Sequence, residues 1–154
     1  MDEKILTPIY GKIANQLNEI IPGEWKEIVL YAEELGDTRT ALFFFKNDST
    51  GEFIHSSKIP DIYHVDRKIY FKLMKELSMI VKDLREKFLE SEVELWNSIT
   101  FFLDSDFKFS IQYNYEWDDT IGSYERGVIW AYEMLQIVPH DDFGKQVLNE
   151  YLEK

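Results

Sequence analysis

Residues 98–103 and 107–115 alternate apolar and polar side chains on either side of Asp104-Ser105-Asp106, which restricts the chain to folds built on an antiparallel hairpin. The runs are rich in aromatic and β-branched residues, the types that fit a pleated, half-buried surface. In the second run Phe107, Phe109, Ile111, Tyr113 and Tyr115 are expected on one face, with Lys108, Ser110, Gln112 and Asn114 on the other. Carboxylates crowd the same stretch. Between Glu90 and Asp119 stand eight acidic residues against Lys108 alone, a net −7 of the chain's −12. That excess disfavours direct binding of nucleic acid or of anionic membrane, both of which require lysine and arginine.

Two more strands are expected upstream, at residues 25–35 and 39–47, the second apolar on both faces through Ala41-Leu42-Phe43-Phe44-Phe45 and therefore interior to a sheet. Residues 47–51 read as a hairpin loop, and residues 53–59 as a weaker strand closed by Pro60. Helical periodicity runs through Ile5, Ile9, Ile13, Leu17 and Ile20, with Thr7-Pro8 as the expected N-cap and first-turn proline and Pro22-Gly23 as the stop. A longer apolar stripe, from Tyr70 through Leu77, Val81 and Leu84 to Phe88, follows Asp66, a good N-cap. Gly122-Ser123 opens a third helix with an expected core side of Tyr124, Val128, Ala131, Tyr132 and Leu135. A short amphipathic helix follows Pro139, capped by Asp141 or Asp142. The order α-β-β-β-α-β-β-α-α, with grouped strands, predicts an α+β two-layer sandwich: an antiparallel sheet of about five strands with helices mainly on one face, as one domain over residues 1–154.

Chemistry is scarce by comparison. Seven scattered glycines form no phosphate-binding loop, and no cysteine is present for thiolate or disulfide chemistry. His55, His64 and His140 lack metal-ligand spacing, and Asp104-Ser105-Asp106 lacks the glycine and terminal glutamate of a calcium loop, so no metal or cofactor is expected. The start is acidic before it is apolar, unlike a signal peptide, and no run reaches membrane-span length, so a cytoplasmic protein is expected. Arg126 and Trp130, four apart on one helix, are expected to stack, with Arg126 also able to bridge to a carboxylate near Asp118.

The carboxylates admit three readings: solvated surface, a catalytic pair in a small hydrolase, or a protein-binding surface. In the last, Asp104, Asp106, Glu116, Asp118 and Asp119 stand where a basic cleft expects phosphates, and Trp117 is the apolar anchor. Self-association through exposed aromatics is a further alternative.

Several segments taken in order add a resemblance: IPGEWKEIVLYAE, the ALFFF strand, DIYHVD before the long helix, LWNSITFFL followed by FKFSIQYNYEW, and YERGVIWAYE followed by a proline. Together they resemble the YezG-like immunity proteins over residues 5–139, leaving the helix expected at 141–153 outside the match. The resemblance implies a non-enzymatic antitoxin of a Gram-positive bacterium. It would bind the catalytic domain of a type VII-secreted, LXG-type toxin, in the best-understood cases a nuclease, and block it in the cytoplasm until export. It also implies that Trp25, Tyr31, Trp96, Phe101, Phe107, Tyr113, Arg126 and Trp130, which carry the matching motifs, are scaffold. It does not indicate which surface meets the toxin.

Overall fold

In the computed structural model, residues 2–47 and 51–154 are described; residues 48–50 of the expected hairpin loop lie outside them. The chain divides into two compact units, Met1–Glu116 and Trp117–Lys154. The first holds α1 (Glu3–Ile20), β1 (Glu27–Glu34), β2 (Arg39–Lys46), β3 (Phe53–His55), a 3-10 turn (Ser56–Lys58), α2 (Ile59–Tyr63), α3 (Arg67–Glu90), β4 (Ser98–Asp104) and β5 (Phe109–Asn114). The strands form one antiparallel sheet in the order β3-β2-β1-β4-β5, within an α+β fold.

Alternation decides which face is covered by helices. Ile28 pairs with Phe45 on one side and Leu103 on the other, and Leu30 with Phe43 and Phe101, so each rung places three apolar side chains on one face. Against them pack Ile13 and Leu17 of α1 and Leu77, Val81 and Leu84 of α3, all essentially inaccessible to water. Truncating a fully buried aromatic such as Phe43 or Phe101 to alanine costs about 3–5 kcal/mol by loss of transfer energy and cavity formation. Val29, Tyr31, Phe44 and Thr100 point to the opposite face and are also buried, whereas Ser110, Gln112 and Asn114 of β5 are exposed there. The interior strand expected at ALFFF is β2, but the middle of the sheet is β1.

Two buried carboxylates of β1 are each committed to a neighbour. Glu33 accepts a hydrogen bond from the Tyr31 hydroxyl at 2.5 Å, and Glu34 receives both Nε (2.9 Å) and Nη2 (3.2 Å) of Arg39, its cross-strand partner. Such bidentate geometry is what allows a carboxylate into a sheet interior.

Local differences from the sequence reading have local causes. α1 starts five residues earlier than Pro8 suggested, because Asp2 caps it by accepting the Lys4 N–H at 2.9 Å. Pro8 then lies inside the helix, near enough to its start that only one early carbonyl loses its donor. β3 is three residues long because Ser56 Oγ takes over the pairing role and accepts the Phe43 N–H at 3.2 Å. The chain then turns helical, burying Ile59 fully and using Pro60 as a first-turn residue rather than as a strand stop. Asp66 caps α3 as expected, accepting the N–H groups of Lys68 (2.7 Å) and Ile69.

The second unit is a pair of helices, α4 (Ser123–Leu135) and α5 (Asp142–Leu152). Its buried residues are Gly127, Trp130, Ala131, Gly144, Val147 and Leu148, so α4 is rotated from the core side expected on Tyr124 and Val128. Tyr124 is instead exposed, stacked on Phe143 at 5.5 Å, and its hydroxyl donates to both Asp141 oxygens at 2.8 and 2.9 Å. Asp141 is the N-cap of α5, accepting the Gly144 N–H at 2.8 Å.

Candidate functional site: the hairpin turn and its groove

The β4–β5 turn has the three-residue length that the sequence pattern suggested but is shifted by one residue toward β5. Phe107 N–H donates to the Asp104 carbonyl and Asp104 N–H to the Lys108 carbonyl, both at 3.0 Å, which leaves Ser105, Asp106 and Phe107 as a three-residue loop. Loops of this kind place their last residue in the left-handed region, where glycine is preferred. Here that residue is Phe107, with φ 62, and it stands outside β5, which begins at Phe109. The Asp104 carboxylate steadies the turn from within, accepting the N–H groups of Asp106 (2.9 Å) and Lys108 (3.0 Å). Both turn carboxylates are exposed, but Asp104 is also a structural acceptor.

Folding brings a second segment to this turn that no local pattern announced. Because Glu27 registers with Asp104, the chain entering β1 runs beside the turn. Asn18, Pro22, Gly23, Glu24, Trp25 and Ser105 with Phe107 line an open groove of about 810 Å³. Its buried Trp25 is oriented by an indole N–H bond to Asn18 Oδ1 at 3.0 Å, and its ring lies 6.0 Å from that of Phe107. Phe107 is 41% exposed, and the outer part of its ring faces solvent. The readable signal was the proline-glycine stop followed by tryptophan; the register that joins it to the turn is non-local.

The same register tempers the charge. Glu27 stands between Asp104 and Lys46 across the sheet, with Lys46 Nζ 3.9 Å from its carboxylate, while Lys26 and Lys108 line a smaller hollow beside Asp104. Three lysines thus share this end of the sheet with its carboxylates, two of them from outside the acidic window.

Glu116 is placed elsewhere. It follows β5 at the opposite end from the turn, about 20 Å away along six residues of strand. There Asn97 ties the entry to β4 to the exit from β5, donating its backbone N–H to the Asn114 carbonyl at 2.8 Å and its side-chain amide to the Tyr115 carbonyl at 3.0 Å. Asp104 and Asp106 therefore do not form one surface patch with Glu116.

Trp117, Asp118 and Asp119 belong to the second unit. The Arg126 guanidinium lies 3.8 Å above the half-buried Trp117 ring and donates to the carbonyls of Asp118 (3.1 Å) and Ile121. The expected bridge from Arg126 to the Asp118 region thus runs through main-chain oxygen. The Asp118 carboxylate accepts the Thr120 hydroxyl (2.5 Å) and N–H (2.9 Å), bonds that hold its pKa below the ordinary carboxylate value; Asp118 and Asp119 are exposed.

The residues expected as scaffold separate by environment: Trp25, Tyr31, Trp96, Phe101 and Trp130 are buried, Tyr113 and Arg126 half-buried, and Phe107 exposed. Tyr113 shares a hydroxyl–hydroxyl hydrogen bond with Tyr10 of α1, and burial raises the pKa of both phenols. Among the described residues no group of three histidine or acidic side chains converges as a metal site would require, and no helix is long and apolar enough to cross a membrane.

Comparison with known proteins bears on what this arrangement serves. A protein-family model described as "Immunity protein YezG-like" matches residues 6–149, and so extends into α5. "Immunity protein YezG" of Bacillus subtilis (strain 168) is 38% identical over 148 residues, covering 94% of this chain and 97% of its own. The protein of the same name in Bacillus spizizenii is 36% identical, covering 99% and 96%. "Type VII secretion system protein EsaG" of Staphylococcus aureus is 24% identical over 144 residues, covering 92% and 88%.

Proposed function

Starting from the fact that this chain belongs to the YezG-like immunity protein family, we propose that it neutralises a secreted toxin by binding the toxin's catalytic domain in the cytoplasm before export. It acts as a stoichiometric inhibitor and not as a catalyst. The toxin is of the type VII-secreted class and its catalytic domain is a nuclease. The relative named for that secretion system supports the first part, and the acidic balance of the chain fits the basic cleft of a nuclease.

The observation that carries the choice of surface is Phe107, a large apolar side chain held half in solvent on a left-handed backbone that glycine would occupy at lower cost. Residues kept in such a state at a loop tip mark function more often than packing. Phe107 and Trp25 form the apolar anchor, the groove beside them, lined also by Glu24, receives a partner side chain, and Asp104 and Asp106, which flank Ser105 in the turn, add acidic charge next to it. Glu116, Asp118 and Asp119, beside Trp117 in sequence, add to the chain's negative charge, which steers a basic partner through long-range attraction.

The test pairs this protein with the catalytic domain of the toxin encoded beside its gene. Asp106→Lys and Phe107→Ala should fold normally and lose inhibition, and wild-type association should slow as salt is added. Full inhibition by a folded Asp106→Lys/Phe107→Ala double variant would move the interface elsewhere. Failure of the wild-type protein to bind any such domain would remove the immunity reading.

A further inference from the structure

The outward face of α3 carries charge in a pattern that neither its own helix nor the toxin-binding reading explains. Opposite the buried stripe, Lys68, Lys72 and Lys75 lie in the N-terminal half and Glu86 and Glu90 at the C-terminal end, with Met79 between them; all are exposed. Each sign stands at the end of the helix where the macrodipole disfavours it, since the amino end favours acids and the carboxyl end bases. The helix has no acidic residue in its first turn, and the one base in its last turn, Lys87, reaches Glu90 at 3.7 Å. This arrangement gains nothing from the dipole of its own helix, and its in-helix relief is limited to two loose ion pairs, Lys82–Glu86 and Lys87–Glu90, each at 3.7 Å.

We infer that this face binds a second copy of the same chain, with the two α3 helices antiparallel about a two-fold axis beside Met79. Charge complementarity selects that occupant. Lys72 and Glu86 each lie seven residues from Met79, and Lys68 and Glu90 each lie eleven away. In an antiparallel pair Lys72 therefore meets Glu86 of the second copy and Lys68 meets Glu90, and two-fold symmetry repeats both contacts. Two of the exposed apolar residues come within one residue of the same symmetry, Phe71 eight and Leu89 ten residues from Met79, whereas Ile69, also exposed, lies on the other side of the stripe without a counterpart. Phe71 (60% exposed) and Leu89 (57% exposed) are five turns apart on one side of the stripe, so each covers the other's counterpart, while Met79 (39% exposed) packs on itself at the axis. Antiparallel neighbours also set the two macrodipoles head to tail, which removes the penalty on the terminal charges.

Close to the axis the symmetry is less favourable. Lys75 and Lys82 lie on one side of the stripe and Glu76 and Asp83 on the other, so like charges of the two copies approach there. Lys82 is screened by its own Glu86, 3.7 Å away. The four outer ion pairs and the Phe71–Leu89 contacts must outweigh this repulsion. The resulting dimer depends on salt, and Lys75→Glu, which turns the two symmetry-related Lys75–Lys82 repulsions into attractions, tightens it. None of these residues lines the groove at the β4–β5 turn, so this inference and the toxin-binding reading stand or fall separately.

Sedimentation equilibrium of the full chain over a range of concentrations tests it. At low ionic strength the mass should rise with concentration toward twice the 18.4 kDa of one chain, and it should return to that of a monomer when salt cuts the screening length from about 30 Å to about 3 Å. The decisive pair is Lys68→Glu/Lys72→Glu and Glu86→Lys/Glu90→Lys. Each alone should dimerise at least about tenfold more weakly, because four attractions become repulsions. Mixed in equal amounts they should form a heterodimer at least as tight as the wild-type homodimer, which also shows that both variants are folded. A wild-type chain that stays monomeric at low salt overturns the inference. So does a wild-type dimer that both variants retain, or a pair of weakened variants whose mixture does not associate.

Discussion

The ring of Phe107 lies 6.0 Å from that of Trp25, inclined by 30°, while its own backbone holds φ 62. The contact joins a turn between β4 and β5 to the segment that enters β1, and it rests on a backbone that costs a side-chain-bearing residue about 1–2 kcal/mol. Phe107→Gly removes that cost and the ring together. Stability by urea denaturation should stay the same or rise by up to about 1 kcal/mol, since the lost contact is only half-buried. Affinity for the toxin domain, by calorimetry, should fall at least about tenfold. A purely structural role for the ring predicts the reverse: a clear loss of stability with binding intact.

The two turn carboxylates, adjacent in space, should separate by experiment. Asp104→Ala leaves the N–H groups of Asp106 and Lys108 without their acceptor and should cost about 1 kcal/mol, whereas Asp104→Asn keeps an acceptor oxygen and most of that stability. Asp106→Lys changes only an exposed charge, so it should unfold at the wild-type denaturant midpoint while slowing toxin association. Equal destabilisation by Asp104→Ala and Asp106→Lys would place both carboxylates in the turn's framework.

Strand alternation made the sheet readable, because period-2 patterning is a local property: Ile111 and Tyr113 pack against the core under the helices as their spacing predicts, and Phe109, though exposed, lies on the same face with its ring 5.3 Å from that of Tyr10 in α1. Asp66 was readable as a cap for the same reason, its carboxylate needing only the next three residues. Thr7-Pro8 misled because it imitates a helix start, and only the competing Asp2 cap shows that the helix begins earlier. β3 ended early through Ser56 Oγ, which acts on a residue of another strand. The candidate site suffered most from such long-range effects. The acidic window is continuous in sequence, yet β5 carries Asp106 and Glu116 to opposite ends, and register sets Lys46 beside Glu27 near Asp104. Charge read along a chain is therefore not charge on a surface.

His55 should make stability depend on pH above the carboxylate range. It is packed edge-on to Phe44 at 5.0 Å, its Nδ1 accepts the Ser57 N–H at 3.0 Å, and burial, with Lys58 assisting, pushes its pKa below the ordinary 6.5. The unfolded chain therefore takes up the proton first as pH falls, so stability decreases from pH 6.5 down to the lowered native value. His55→Asn keeps an acceptor for Ser57 without the titrating group. Denaturation midpoints measured at about pH 7.5 and about pH 5.5 should differ for wild type and converge for this variant. Asp118 and Asp141, whose pKa values are held below 3.8, lose their contribution only at lower pH and do not obscure this window.

Gly144 tests whether the α4–α5 pair depends on its cap. A Cβ at this position would lie 2.6 Å from Pro139 Cβ, 2.8 Å from Asp141 Oδ1 and 2.9 Å from the Tyr124 hydroxyl, all closer than real Cβ contacts allow. Those atoms form the start of α5: Asp141 accepts the Gly144 N–H, and Tyr124 donates to Asp141, which keeps the Asp141 pKa low. Gly144→Ala must displace the capping carboxylate or the proline, and either route should cost about 1–3 kcal/mol in the second unit despite alanine's better helix propensity. Hydrogen exchange resolved by residue should show faster exchange across α5 and the C-terminal half of α4, with the amides of β1 and β4 unchanged. Asp141→Ala should produce the same regional pattern, because the crowding around Gly144 and the cap from Asp141 hold the same helix start. Exchange that accelerates equally in β1 and α5 would mean instead that the two compact units unfold together.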